Sequence, residues 1–135
     1  MITPVYIQPG SIIPDWLIEM ERVYFGNPWS SMYENEHIWA IPLVSFARWI
    51  VNREIQEAEL LRICVAKNCF RKGYGRAILR HSQSQVANFR VNTMFLEVRA
   101  SNIAARSLYE SEGWSYLGLR AKYYNDGEDA VNYRL

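Results

Sequence analysis

Arg71-Lys72-Gly73-Tyr74-Gly75-Arg76 follows an apolar run, Leu60 to Val65, and opens a segment that reads as a helix. A strand, a short glycine loop and a helix start together make an anion cradle. Glycines let backbone N–H groups approach a phosphate, and the helix N-terminus adds partial positive charge. Arg71, Lys72 and Arg76 add formal charge. The stretch points to a phosphorylated cofactor; the plainer alternative is a turn followed by a basic helix face. A Walker loop needs Gly-Lys-Ser/Thr, and here Gly75 is followed by Arg76 and Ala77. A dinucleotide-binding loop needs a third glycine where Ile78 stands. Glu97 lies at about the right distance to imitate its ribose-binding acid, but the missing glycine and the flanking cations argue against it.

On the N-terminal side of the loop, Ala58 to Ala66 reads as a strand apolar on both faces. His37 to Ile41 and Leu43 to Asn52 read as two more, separated by Pro42. Val44, Phe46 and Ile50 share one face, and Ala47, Trp49 and Val51 the other, as in a central strand covered on both sides. Val5 to Gln8 suits an edge strand closed by Pro9-Gly10. A helix follows from Pro14, with Trp16, Leu17, Met20, Val23 and Tyr24 at helical spacing and Gly26-Asn27-Pro28 as its end. Ser30 is placed to cap a short second helix over Ser31 to Asn35.

On the C-terminal side, a helix is expected from Tyr74 to about Phe89, turning Tyr74, Ala77, Ile78, Val86 and Phe89 to the sheet. Thr93 to Arg99 alternates, with Met94, Leu96 and Val98 opposite Phe95 and Glu97. Ser101-Asn102 offers a helix cap, Ala104, Leu108 and Ser111 continue one stripe, and Gly113 suits the C-cap. Trp114 to Leu119 and Asp129 to Arg134 bracket Asn125-Asp126-Gly127, a hairpin turn. This order predicts an α/β chain: a mixed sheet with helices on both faces.

The bulk properties narrow the function classes. A chain of 135 residues predicts one domain over 1–135, and 50% hydrophobic residues exclude a disordered chain. A net charge of +1 gives no support to a nucleic-acid binder held by bulk electrostatics. Cys64 and Cys69 cannot form a disulfide framework and suggest a reducing compartment. With only His37 and His81, a histidine-rich metal site is not expected, and the reading is of a chain with no metal. Without a membrane-length apolar run or a signal-like start, the expectation is a cytoplasmic protein that does not bind membranes. Nothing in the sequence sets an oligomeric state.

A second constellation lies in Leu96-Glu97-Val98-Arg99-Ala100-Ser101-Asn102 and in Leu108-Tyr109-Glu110-Ser111-Glu112-Gly113-Trp114. Glu97, a carboxylate in an otherwise apolar strand, is a candidate general base. It reads equally as an ion-pair partner of Arg99 or of a cation on a neighbouring strand. Asn102 either holds a polar cofactor group or is a plain cap. Tyr109 either presents a hydroxyl to the sheet or packs in the core.

Together these segments resemble the GNAT acetyltransferase superfamily, and within it the bacterial ribosomal-protein-alanine N-acetyltransferase group with its N-terminal acetyltransferase relatives. Arg71 to Arg76 is similar to the superfamily's acetyl-CoA pyrophosphate loop. Leu96 to Ala105, Leu108 to Trp114 and the closing hairpin Arg120 to Ala130 resemble the group, as does Asn27-Pro28-Trp29-Ser30. The resemblance implies a mostly antiparallel central sheet and transfer of an acetyl group from acetyl-CoA to an amine, the α-amino group of a protein N-terminus. It implies Glu97 as base and Tyr109 as acid. The cofactor would be held by the backbone of Ile63, Cys64 and Val65, by Arg71, Lys72, Gly73, Tyr74, Gly75 and Arg76, and by Asn102. Pro28, Trp29, Tyr123 and Tyr124 would wall the peptide groove. The alternatives are a small-molecule amine or a lysine as acceptor, and a CoA-binding or complex-forming module without turnover. The chain departs from the superfamily pattern at Phe70, where Gln or Arg is usual, at Arg62, where small polar residues are usual, and at Ser45, where glycine is frequent.

Overall fold

The computed structural model describes residues 2–135. The elements are β1 (Val5–Ile7), α1 (Asp15–Phe25), β2 (Glu36–Ile41), β3 (Ser45–Asn52), β4 (Glu57–Val65), a 3-10 turn (Lys67–Cys69), α2 (Tyr74–Ala87), β5 (Thr93–Arg99), α3 (Ile103–Ser111), β6 (Ser115–Arg120) and β7 (Ala130–Arg134). The strands form one sheet in the order β1-β2-β3-β4-β5-β7-β6. All neighbours run antiparallel except β4 and β5. No helix among the described residues is long and apolar enough to cross a membrane.

The helices cover opposite faces. α2 and α3 pack Ile78, Leu79, Val86 and Tyr109 on Trp39, Ala47, Trp49, Leu60, Leu96 and Tyr133. On the other face α1 packs Leu17 and Met20 on Ile38, Ala40, Phe46 and Cys64. α1 begins behind Pro14 and ends at Gly26, whose φ of 75° closes the helix with its N–H on the Arg22 carbonyl at 3.0 Å. Its buried face runs through Leu17, Met20 and Glu21 rather than toward Val23, which is exposed.

The helix expected over Ser31 to Asn35 does not form. Arg48 takes a carbonyl that helix would have used, Nη2 donating to Ser31 O at 3.2 Å, and holds the residue before its cap, Nη1 donating to Trp29 O at 2.9 Å. The last hairpin also differs from a tight turn. β6 and β7 are joined by residues 121–129, and Asn125-Asp126-Gly127 supplies only the bend within them, where the Gly127 N–H reaches Tyr124 O at 2.9 Å.

Two irregularities position the site. The β3–β4 register passes from Arg48↔Arg62 to Trp49↔Leu60, so Leu61 is an extra residue, a β-bulge. The bulge reverses the alternation of β4. Leu60 faces α2, but Cys64 joins the α1 core. Arg62, which strict alternation would send toward α2, points to α1 as well. The second irregularity is a parting of strands: β4 and β5 pair only from Glu57↔Thr93 to Leu60↔Leu96. Beyond Leu60, β4 pairs with β3 alone, and beyond Leu96, β5 pairs with β7 alone. A wedge opens between them with a backbone edge on each side.

Candidate active site

Some of the residues singled out in the sequence line the wedge, and others lie around it. Its β4 side carries Ile63, Cys64 and Val65. The chain then runs through the 3-10 turn into the glycine loop, where Arg71 has φ 61° and Gly73 φ 84°. Left-handed residues on both sides of Lys72 turn successive N–H groups into a concave nest that suits an anion. Gly73 is the N-cap of α2 and no side chain caps the helix. The first intrahelical bond runs from the Ala77 N–H to Gly73 O at 3.0 Å, so the amides of Tyr74, Gly75 and Arg76 lack helical partners. A Cβ on Gly75 would touch Val65 at 3.6 Å and Leu108 at 3.7 Å, which locates the meeting point of β4, α2 and α3.

Arg71 and Lys72 are exposed and form no ion pair among the described residues. Arg76 differs: its guanidinium pairs with Glu112, which also binds Arg80 at 2.6 Å. What Arg76 leaves free for an anion is its backbone N–H. Phe70 is more than half exposed and precedes the nest. Asn102 caps α3, its Oδ1 accepting the Ala105 N–H at 3.1 Å, while its amide nitrogen has no partner among the described residues. Burial first, then the Glu21 charge, push the Cys64 thiol up to about 12, so it is a packing group rather than a nucleophile.

Glu97 lies on β5 just past the last β4–β5 pair, on the α1 face. Its Oε2 is buried without a hydrogen-bond partner, and its Oε1 is 3.5 Å from Arg120 Nη1. Of the ion pairs expected for Glu97, the one with Arg99 does not form, but one with a cation of another strand does, Arg120 on β6. Arg99 instead binds Asp126 at 2.8 Å and Glu128 at 3.0 Å, tying the 121–129 loop to the end of β5. Arg99 also lies 4.1 Å from the Tyr124 ring and Arg120 lies 5.4 Å from the Tyr123 ring, so both tyrosines stand beside Glu97. Desolvation, then the Glu97 charge, raise the Glu59 carboxyl above its ordinary range, with Arg120 opposing.

Tyr109 is on the other face, buried with its ring 6.1 Å from Trp114 and 6.2 Å from Tyr133. Its hydroxyl has no hydrogen-bond partner among the described residues, and burial raises its pKa, which keeps it protonated. The Tyr133 hydroxyl, by contrast, is held by Arg106 at 3.1 Å and by Glu110. Pro28 and Trp29 line a cleft of about 290 Å³ with residues 30–33 and Glu36 on the α1 face.

Sequence reasoning missed the buried charges behind that cleft. Glu21, Glu36 and Arg48 are fully buried; Arg48 pairs with Glu21 and, at 2.5 Å, with Glu36, and Arg62 pairs with Glu21. A signal existed: Glu21 falls in the Leu17–Met20 stripe, and Arg48 sits between Phe46 and Ile50 on one strand face.

These features have counterparts in known proteins. The profile of the acetyltransferase (GNAT) family matches residues 6–114. The [Ribosomal protein bS18]-alanine N-acetyltransferase of Escherichia coli K12 is 45% identical over 80 residues, covering 57% of this chain and 54% of that one. This chain thus spans about half the length of that relative. The crystal structure of the ribosomal-protein-S18-alanine N-acetyltransferase from Escherichia coli superposes with a TM-score of 0.77 and 31% identity, covering 98% of this chain and 92% of that one. A Bacillus subtilis acetyltransferase in complex with CoA shares the fold alone, at TM-score 0.80 and 16% identity over 98% of this chain and 97% of that one. The chain belongs to the acetyltransferase (GNAT) family.

Proposed function

We propose that this protein transfers an acetyl group from acetyl-CoA to the α-amino group of a protein N-terminus beginning with Ala or another small residue. The observation that carries the reading is the wedge beyond Leu60 and Leu96, with the unpartnered Glu97 Oε2 beside it. A pantetheine arm laid in the wedge as an added strand meets the free backbone edge at Ile63, Cys64 and Val65. The nest at Arg71 to Gly73, the unpaired amides of Tyr74, Gly75 and Arg76, and the exposed Arg71 and Lys72 suit the pyrophosphate. The free amide of Asn102 suits a polar group of the arm. Acetyl-CoA supplies the activated acetyl thioester.

Three tasks fall to the chain's own side chains. Glu97 takes the proton of the acceptor ammonium, directly or through one water. Tyr109, kept protonated by burial, gives a proton to the departing thiolate. Pro28 and Trp29 on one side and Tyr123 and Tyr124 on the other confine the incoming peptide, and confinement itself supplies much of the rate. A cytoplasmic acceptor belongs to the same proposal.

The test is product analysis. The protein is incubated with acetyl-CoA and short peptides that carry both a free N-terminal Ala and an internal Lys, and the products are sequenced by mass spectrometry. Acetylation confined to the α-amino group is expected. Acetylation of lysines or of polyamines, with free N-termini untouched, contradicts the acceptor.

A further inference from the structure

The Leu61 bulge turns Arg62 to the α1 face, and its surroundings there give it a task. Its Nη1 pairs with buried Glu21 and donates to Asn27 O at 3.2 Å. Its guanidinium carbon lies over the Trp29 ring, 3.4 Å from the centroid, and over the Phe25 ring at 4.3 Å. Arg48 binds the same loop from below. It is paired with Glu21 and Glu36, its Nη1 donates to Trp29 O, and it lies 5.5 Å from the Trp29 ring. Two arginines and two glutamates thus balance in charge under one loop. Every tie from Arg62 and Arg48 runs to residues 25–31 or to the two carboxylates.

We propose that Arg62 is a positioning residue for the acceptor. Anchored by Glu21, it fixes Trp29 against β4, so that the loop over residues 27–33 stands as a preformed wall of the acceptor groove. This rests on the N-terminal acetyltransferase reading above. Arg62 sits one residue before Ile63, so the stack sets Trp29 in register with the strand that lines the wedge. A planar guanidinium can pair and stack at once, which an ammonium cannot. A loop ordered before binding spares the peptide the entropic cost of ordering it.

Removing Arg62 leaves Glu21 and Glu36 to share Arg48, one buried negative charge in excess. Each Arg62→Met effect is therefore read again in Arg62→Met/Glu21→Gln, where the charges balance once more, and a thermal melt checks that each variant is folded. In Arg62→Met we expect the acceptor-peptide KM to rise about 10-fold or more, with kcat and the acetyl-CoA KM nearly unchanged. Arg62→Lys should fall between the two. Trp29→Ala should raise the peptide KM similarly, and the double variant Trp29→Ala/Arg62→Met should be no worse than either single one, because both remove the same wall. Amide hydrogen exchange over residues 27–35 should quicken about 10-fold or more in Arg62→Met while α2 stays protected; this readout needs no turnover. Unchanged exchange in that segment, or additive KM effects in the double variant, overturns the positioning role. Failure of the wild-type protein to acetylate any peptide overturns the acceptor reading instead, and leaves the exchange measurement to decide on Arg62.

Discussion

His37 shows what burial does to a single residue in this sheet. Its ring is almost wholly buried between Tyr6, Trp39 and Phe89, and its Nδ1 accepts the Tyr6 hydroxyl at 2.6 Å. Burial, helped by the charge of Arg53, holds the imidazole pKa down to about 4. An unfolded His takes its proton near pH 6.5, whereas the folded one does not until about 4. The contribution to stability is therefore complete above about pH 6.5 and is lost as pH falls from there to about 4. It amounts to about 3 kcal/mol at its largest. Denaturant melts between pH 7 and 4 should show a steeper loss for the wild type than for His37→Gln; equal slopes would contradict a buried neutral imidazole. The sequence offered His37 only as one of two histidines. Nothing local to it announces that a residue of β1 and one at the end of α2 close over it.

At the scale of elements, most boundaries were legible because local chemistry set them. Pro14 opens α1, Gly26 ends it, Asn102 caps α3, and the glycine loop joins β4 to α2 as the spacing required. Three features were not legible. The bulge at Leu61 hides inside an apolar run, where both faces read alike, so a change of phase leaves no trace in the pattern. The helix expected over Ser31 to Asn35 has sound local signals, but Arg48, far along the chain, takes the Ser31 carbonyl and holds the Trp29 carbonyl just before the cap. The parting of β4 and β5 follows from pairing on their outer sides, which no single strand encodes. The glycine loop also gives an element-scale prediction. Gly73 holds φ 84°, a conformation costing a residue with a Cβ about 1–2 kcal/mol. Gly73→Ala should lower stability by about that amount, and calorimetry should show weaker binding of CoA but little change for pantetheine lacking its phosphates. Equal weakening of both ligands would remove the loop from pyrophosphate binding.

Across the whole molecule, the sheet separates the two groups proposed for proton transfer. Glu97 belongs to the α1 face, with Arg120, Tyr123 and Tyr124, and Tyr109 to the core under α3. β4 and β5 part beyond Leu60 and Leu96, and in the proposed reaction that wedge serves both as the cofactor slot and as the passage between faces where the two groups approach one carbonyl. The sequence singled out both residues, an acid in an apolar strand and a tyrosine on the next helix, but only the family resemblance paired them as base and acid. The sequence did not carry their placement on opposite faces, which depends on the sheet order. That placement makes the two roles separable in kinetics. The deciding measurement is the pH profile of kcat, with acetyl-CoA and an Ala-starting peptide, for the wild type, Glu97→Gln and Tyr109→Phe. Glu97→Gln should lower kcat by ~10²-fold or more with acetyl-CoA affinity unchanged, and raising pH should partly restore it as more acceptor is already neutral. Tyr109→Phe should slow turnover without that recovery. Wild-type turnover in both variants would contradict acid–base chemistry at the wedge and leave a domain that binds CoA without using these groups.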